Sequence, residues 1–268
     1  FRACSLVLPD AIPRPVTRSP PAQLMKHHRP RVFAEIMQQL VIGAGSAIAK
    51  ALIHKNLKQG DSIVAVSRHA GSLEESSAGG HLRRLQCDYT ESSIDAICAE
   101  LRKSGIAFDR ITICNGILHH EGLSPEKRLE NTSIVPLETV MRINAFVPLL
   151  WVKALKPLLK VNRKPCVITA LSARVGSIGD NERGGWYAYR ASKAALNIIN
   201  KSMSIDLKEE FDVTCMLLHP GWVQTDMTEK RGLIETPECA KGLIKAMEGK
   251  YGSLNGRWYD YKGDEIPW

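Results

Sequence analysis

Short apolar runs alternate with amphipathic stretches from residue 36 onward. The runs are Gln39–Ile42, Ser62–Ser67, Leu82–Gln86, Arg110–Cys114, Cys166–Leu171 and Val213–Leu218. Each has the length of a strand, and nearly continuous apolar character predicts burial on both faces. Between them, apolar positions recur at helical spacing over Ser46–Lys58, Ser92–Lys103, Leu137–Leu159 and Trp186–Glu210. A last helix is expected with Thr236 as N-cap and Pro237 at its first position. Strand–helix alternation of this kind predicts an α/β fold: a doubly wound parallel sheet in a three-layer α/β/α arrangement. No second alternating block or internal repeat follows, so one domain is expected over 36–268.

The first 35 residues break this pattern. They hold Pro9, Pro13, Pro15, Pro20, Pro21 and Pro30, with six bases against two acids. Such a stretch supports no long helix, and a disordered, basic N-terminal extension is expected. Met37 stands directly before the first strand as a candidate start. The net charge of +8 leaves a nucleic-acid or membrane partner open. Half of that charge lies in the extension, which lacks interleaved aromatic residues. The expectation is therefore no nucleic-acid and no membrane partner. No apolar run approaches the 18 residues of a membrane-spanning helix. Seven cysteines, an odd number without a C-x-x-C pair, argue against a disulfide framework and for a reducing, cytoplasmic setting. His119 and His120 adjoin one another without a partner at ligand spacing, so no metal is expected.

The turn Gly43-Ala-Gly45-Ser46-Ala47-Ile48 links the first strand to the first helix. In a Rossmann-type fold this is where backbone N–H groups meet a pyrophosphate and small residues permit close approach. Ala47 and Ala49 stand where glycine would leave more room. The second strand ends in Ser67-Arg68, where an acid would favour a free ribose 2′-hydroxyl and an arginine a 2′-phosphate. NADP(H) is accordingly preferred, with NAD(H) possible.

Tyr189 and Lys193 lie four residues apart, on one face of a helix. An ammonium beside a phenol is expected to lower its pKa, making the pair a proton donor and acceptor for a carbonyl/alcohol couple. Pro148 follows Asn144 by four residues. Lacking an N–H, it is expected to free the Asn144 carbonyl to hold a water.

These features in this order resemble the classical short-chain dehydrogenase/reductases: the glycine turn, Asp88, Asn115-Gly116, Asn144, Ser172, Tyr189-x-x-x-Lys193 and Pro220-Gly221 followed by Thr225. The stretch Ser172–Lys193 and the ending Gly256–Trp268 resemble the C-factor/sniffer-type carbonyl reductase branch. The resemblance implies that Tyr189 is the general acid/base and that Lys193 supports it. It implies that Asn144 carries a proton relay and that Ser172 bonds the substrate oxygen. The family's serine lies three residues before a glycine, which here is Ala173, so Ser172 requires a shift of one; Ser177 is the other candidate. For the cofactor, the resemblance implies Gly43, Gly45, Ser46, Ile48, Ser67, Arg68, Asp88, Asn115, Gly116, Tyr189, Lys193, Pro220, Gly221, Val223 and Thr225. It also implies a homodimer or homotetramer and a small carbonyl or alcohol substrate. An NAD(P)-binding signalling protein with vestigial reductase activity is the alternative.

Overall fold

The computed structural model describes residues 36–69, 80–119, 122–160, 165–249 and 254–268. The expected extension and His120 lie outside them. The strands are β1 (Gln38–Ile42), β2 (Ser62–Ser67), β3 (His81–Gln86), β4 (Arg110–Ile113), β5 (Cys166–Leu171), β6 (Val213–His219) and β7 (Arg257–Asp260). The helices are α1 (Ala47–Lys58), α2 (Glu91–Lys103), α3 (Ile134–Met141), α4 (Val147–Leu159), α5 (Tyr187–Glu210) and α6 (Thr236–Met247). The strands form a single parallel sheet in the order β3-β2-β1-β4-β5-β6-β7. The order reverses between β1 and β4, and in doubly wound sheets ligands bind at the carboxyl ends of the strands beside that reversal.

Side chains alternate across each strand, so one strand serves two cores. Leu40 and Ile42 of β1 face a layer holding Ile94 and Leu101 of α2, Trp151 and Leu155 of α4, and Leu196 of α5. Val41 faces the opposite layer with Leu52 and Ile53 of α1 and Leu243 of α6. Full burial of a large aliphatic side chain contributes about 1.5–3 kcal/mol, so these two layers supply the main driving force.

Four differences from the sequence expectation have physical causes. β7 escapes the apolar-run criterion because two of its four residues, Arg257 and Asp260, are charged; Trp258 between them is fully buried. Glu235, not Thr236, is the N-cap of α6, and Pro237 is its second residue, where the missing N–H still costs nothing. α5 begins one residue late because Trp186 sits in the left-handed region at φ 52°. The expected helix Leu137–Leu159 starts at Ile134 and contains a π turn over Arg142–Phe146.

That continuous helix also corrects the reading of apolar runs. Ile134–Leu159 is 26 residues long with a best-window mean hydropathy of 1.3, enough by length and composition to cross a membrane. Here Trp151 and Leu155 belong to the core beneath the sheet. Exposed Lys153 and Lys156 are ion-paired to Glu91 and Glu210.

Candidate active site

Two adjoining cavities form one trough across the carboxyl ends of the strands. The larger is about 570 Å³ and the smaller about 220 Å³. Gly45, Ser46, Cys114, Asn115 and Gly116 border both. The glycine turn is shaped by necessity. Gly43 has φ +79°, and a Cβ there would stand 2.5 Å from the Asn115 nitrogen. Its N–H and that of Ala44 both donate to the Val66 carbonyl, pinning the turn to β2. Ser46 is the N-cap of α1, accepting from the Ala49 N–H at 3.2 Å. Gly45, Ser46 and Ala47 are exposed, so the positive end of α1 opens into the trough, an arrangement suited to an anion. Ile48 lines the smaller cavity beside it.

The larger cavity is bordered by Gly43, Ser67, Arg68 and Asp88. The Arg68 side chain lies at the exposed end of β2. Ser67 donates its hydroxyl to the His69 carbonyl at 2.7 Å, so it shapes the loop that carries Arg68. One oxygen of Asp88 accepts from both the N–H and the hydroxyl of Thr90, which holds this carboxyl below its ordinary pKa. Arg142, His69 and Tyr89 also border this cavity. They carry no motif and were not legible from sequence.

Tyr189, Lys193, Ser172, Pro220 and Thr225 meet in the smaller cavity. Burial pushes the Tyr189 phenol up to about 12 and the Lys193 amine down to about 8. The net shift of Tyr189 is therefore upward, opposite in sign to the expectation from Lys193 alone. The Lys193 Nζ lies 5.7 Å from the Tyr189 ring centre and donates instead to the Leu171 carbonyl at 2.9 Å. Desolvation is the dominant cause of both shifts.

Asn144 is fully buried behind this cavity rather than in its wall. Its amide accepts from the Ile117 N–H at 2.8 Å, donates to the Ile117 carbonyl at 2.9 Å, and donates to Ser192 Oγ at 3.0 Å. Ser192 in turn donates to the Tyr189 carbonyl at 2.8 Å. The loop after β4 is thereby fastened to the helix that carries Tyr189. A Cβ on Gly116 would lie 3.4 Å from Asn144 Oδ1 and 3.5 Å from Lys193 Nζ, so the three residues converge. The helix makes a π turn around Asn144, with the Val147 N–H donating to the Arg142 carbonyl. The neighbouring Ile143 carbonyl accepts from Asn115 Nδ2 at 2.8 Å.

The two serine candidates separate cleanly. Ser172 borders the cavity with Tyr189 and Lys193. Ser177 is turned to the C-terminus, donating to the Trp268 carbonyl at 3.2 Å. Val223 is buried, and neither it nor Gly221 borders the cavity. Gly221, at φ +84°, leaves no room for a Cβ against Ile234, and the Val223 carbonyl accepts from Thr228 Oγ1 at 2.6 Å. Both shape the loop that presents Thr225. Behind it, burial pushes the His219 imidazole down to about 4, so it is neutral at physiological pH.

Glu126 escaped the sequence reading. It is buried, its carbonyl accepts from the Trp186 N–H at 2.6 Å, and its carboxylate accepts from the Ala188 N–H at 3.3 Å. One residue thus caps the helix that bears Tyr189, whose own N-cap Trp186 offers no side-chain acceptor.

A doubly wound parallel sheet with an anion-receiving glycine turn and a Tyr–Lys pair one helical turn apart at the cavity wall defines a dinucleotide-binding oxidoreductase. The short chain dehydrogenase family profile matches residues 38–235, and the chain belongs to that family. It is 44% identical over 126 residues to the C-signal protein of Myxococcus xanthus, covering 47% of this chain and 75% of that one. Its fold is similar to carbonyl reductase Sniffer of D. melanogaster, at TM-score 0.78 and 25% identity, over 87% of this chain and all of that one. A short-chain dehydrogenase/reductase of Burkholderia multivorans, solved with bound NADP, superposes at TM-score 0.76 with 25% identity and the same coverage.

Proposed function

We propose that this protein is an NADP(H)-dependent carbonyl reductase or alcohol dehydrogenase acting on a small substrate through Tyr189, Ser172, Lys193 and Asn144, with 36–268 as its working domain. The observation that carries the reading is the convergence of Tyr189, Lys193 and Ser172 in the cavity that continues from the glycine turn. NADP(H), when bound, supplies or accepts a hydride at nicotinamide C4. The exposed first turn of α1 and Gly43 fit its pyrophosphate, and Arg68 fits a ribose 2′-phosphate.

For reduction, Tyr189 gives its proton to the carbonyl oxygen. A phenol raised to about 12 is fully protonated at neutral pH and still far more acidic than an alcohol, so the transfer runs downhill. Ser172 donates a hydrogen bond to the same oxygen as negative charge builds. Lys193, at about 8, is mostly cationic at neutral pH and stabilises a transient phenolate. Asn144 holds the loop of Gly116 against Lys193 and supports the path by which protons return. The carbonyl reductase neighbour and the completeness of this set favour an enzyme over a vestigial signalling protein.

The six described cysteines are all free, which supports a cytoplasmic setting. Exposed Ile134, Val135, Phe146, Ile198 and Ile205 on α3, the π turn and α5 support a homodimer or homotetramer. Fluorescence titration with NADPH and NADH tests the cofactor reading. Tight NADPH binding with much weaker NADH binding is expected; equal affinities overturn the role of Arg68, and no binding overturns the reading as a whole.

A further inference from the structure

The face of α5 that carries the proton-transfer pair continues for one more turn. Tyr189, Lys193 and Asn197 follow each other at intervals of four, which stacks them along one side of the helix. Asn197 is 4% exposed and Ser172 is 2% exposed. Ser172 Oγ donates to Asn197 Oδ1 at 2.6 Å. The orientation of the amide is set from its other end, where Nδ2 donates to the Gly176 carbonyl at 3.4 Å. Gly176 is itself pressed on the helix: a Cβ there would meet the Lys193 Cβ at 2.7 Å. One side chain therefore ties both ends of the segment 172–176 to the helix that bears Tyr189 and Lys193.

We infer that Asn197 is the positioning residue for Ser172, holding its hydroxyl at the cavity wall in register with Tyr189. This rests on the reading of Ser172 given above. It supplies a physical basis for a serine one residue earlier than the family's usual position, because a contact from α5 fixes a hydroxyl that the loop alone would not. It also sets the order of events. At rest the Ser172 hydrogen is committed to an amide oxygen. An oxygen gaining negative charge is the stronger acceptor, since hydrogen bonds to ionised groups are roughly twice as strong as neutral ones. The hydrogen then passes from Asn197 to the substrate oxygen as the transition state forms, so the bond favours the transition state over the ground state.

The test is a double-mutant cycle on the full chain with Asn197→Leu, Ser172→Ala and the pair combined, and Asn197→Ala as a smaller second variant. NADPH oxidation is followed with benzaldehyde, 4-nitrobenzaldehyde and cyclohexanone as probes, and NADPH affinity by fluorescence. Ser172→Ala is expected to lower kcat about 100-fold, as for loss of one donor to a developing oxyanion. Both Asn197 variants are expected to lower kcat at least about 10-fold with NADPH affinity unchanged, and Asn197→Leu to add nothing in the Ser172→Ala background. Wild-type kcat in both Asn197 variants, a raised kcat, or additive losses in the double variant would overturn the assignment of Asn197. Wild-type kcat in Ser172→Ala would overturn the reading of Ser172 on which it rests. No turnover of any probe by the wild type would overturn both.

Discussion

The two halves of the trough are built on opposite plans. In the larger cavity, Arg68 and Asp88 stand exposed at strand ends. In and behind the smaller one, Ser172, Lys193, Asn144 and Asn197 are buried and each is held by a named partner. A group that recognises a phosphate by charge tolerates mobility, because electrostatic attraction is broad in angle. A group that transfers a proton or stabilises an alkoxide does not, because its contribution depends on placement within fractions of an ångström. The contrast assigns affinity to the first half and rate to the second.

Substitutions separate these roles. Arg68→Ala is expected to weaken NADPH about 10- to 100-fold, the value of a hydrogen bond to a charged group. NADH affinity and kcat at saturating NADPH should not move. Fluorescence titration and steady-state rates read both, and an equal loss for the two cofactors would blur the division. Glu126→Ala removes the cap of α5. A loss of about 1 kcal/mol of stability is expected, with a Tm fall of about 2–4 °C and reduced kcat at unchanged NADPH affinity. Glu126→Gln, which keeps an acceptor for the Ala188 N–H, should restore both; a Gln variant as impaired as Ala would show that capping is not its role.

A separate effect concerns acid stability. The His219 pKa is about 4 in the folded chain against 6.5 for an ordinary histidine. Between these values the unfolded chain binds the proton and the folded one does not. Stability from this group is therefore intact above pH 6.5 and falls as pH drops toward 4, by about 3 kcal/mol. Urea melts from pH 7 to 4 should show a shallower decline for His219→Gln. Parallel curves would place the acid sensitivity elsewhere.

The same division explains what could be read in the sequence. Strand and helix spacing, the turn at Gly43 and the i,i+4 pair Tyr189–Lys193 are local patterns, and they survive in the structure. β7 was missed because charged residues flank its one fully buried aromatic, Trp258. The π turn was missed because its bonding step is one that periodicity does not reveal. Glu126, 63 positions before Tyr189 in the chain, meets α5 only through folding, and no spacing rule links them. Asn197 had a local signal, one further step of four beyond Lys193. The fall in Lys193 and rise in Tyr189 pKa were illegible because burial, not sequence proximity, sets both.

Tyr189→Phe, compared with wild type for both NADPH affinity and probe reduction, tests the central claim most directly. Removal of a general acid should lower kcat about 10²- to 10⁴-fold, while NADPH binding stays largely intact. Turnover at the wild-type rate by the phenylalanine variant would contradict Tyr189 as the proton donor and the chemistry built around it.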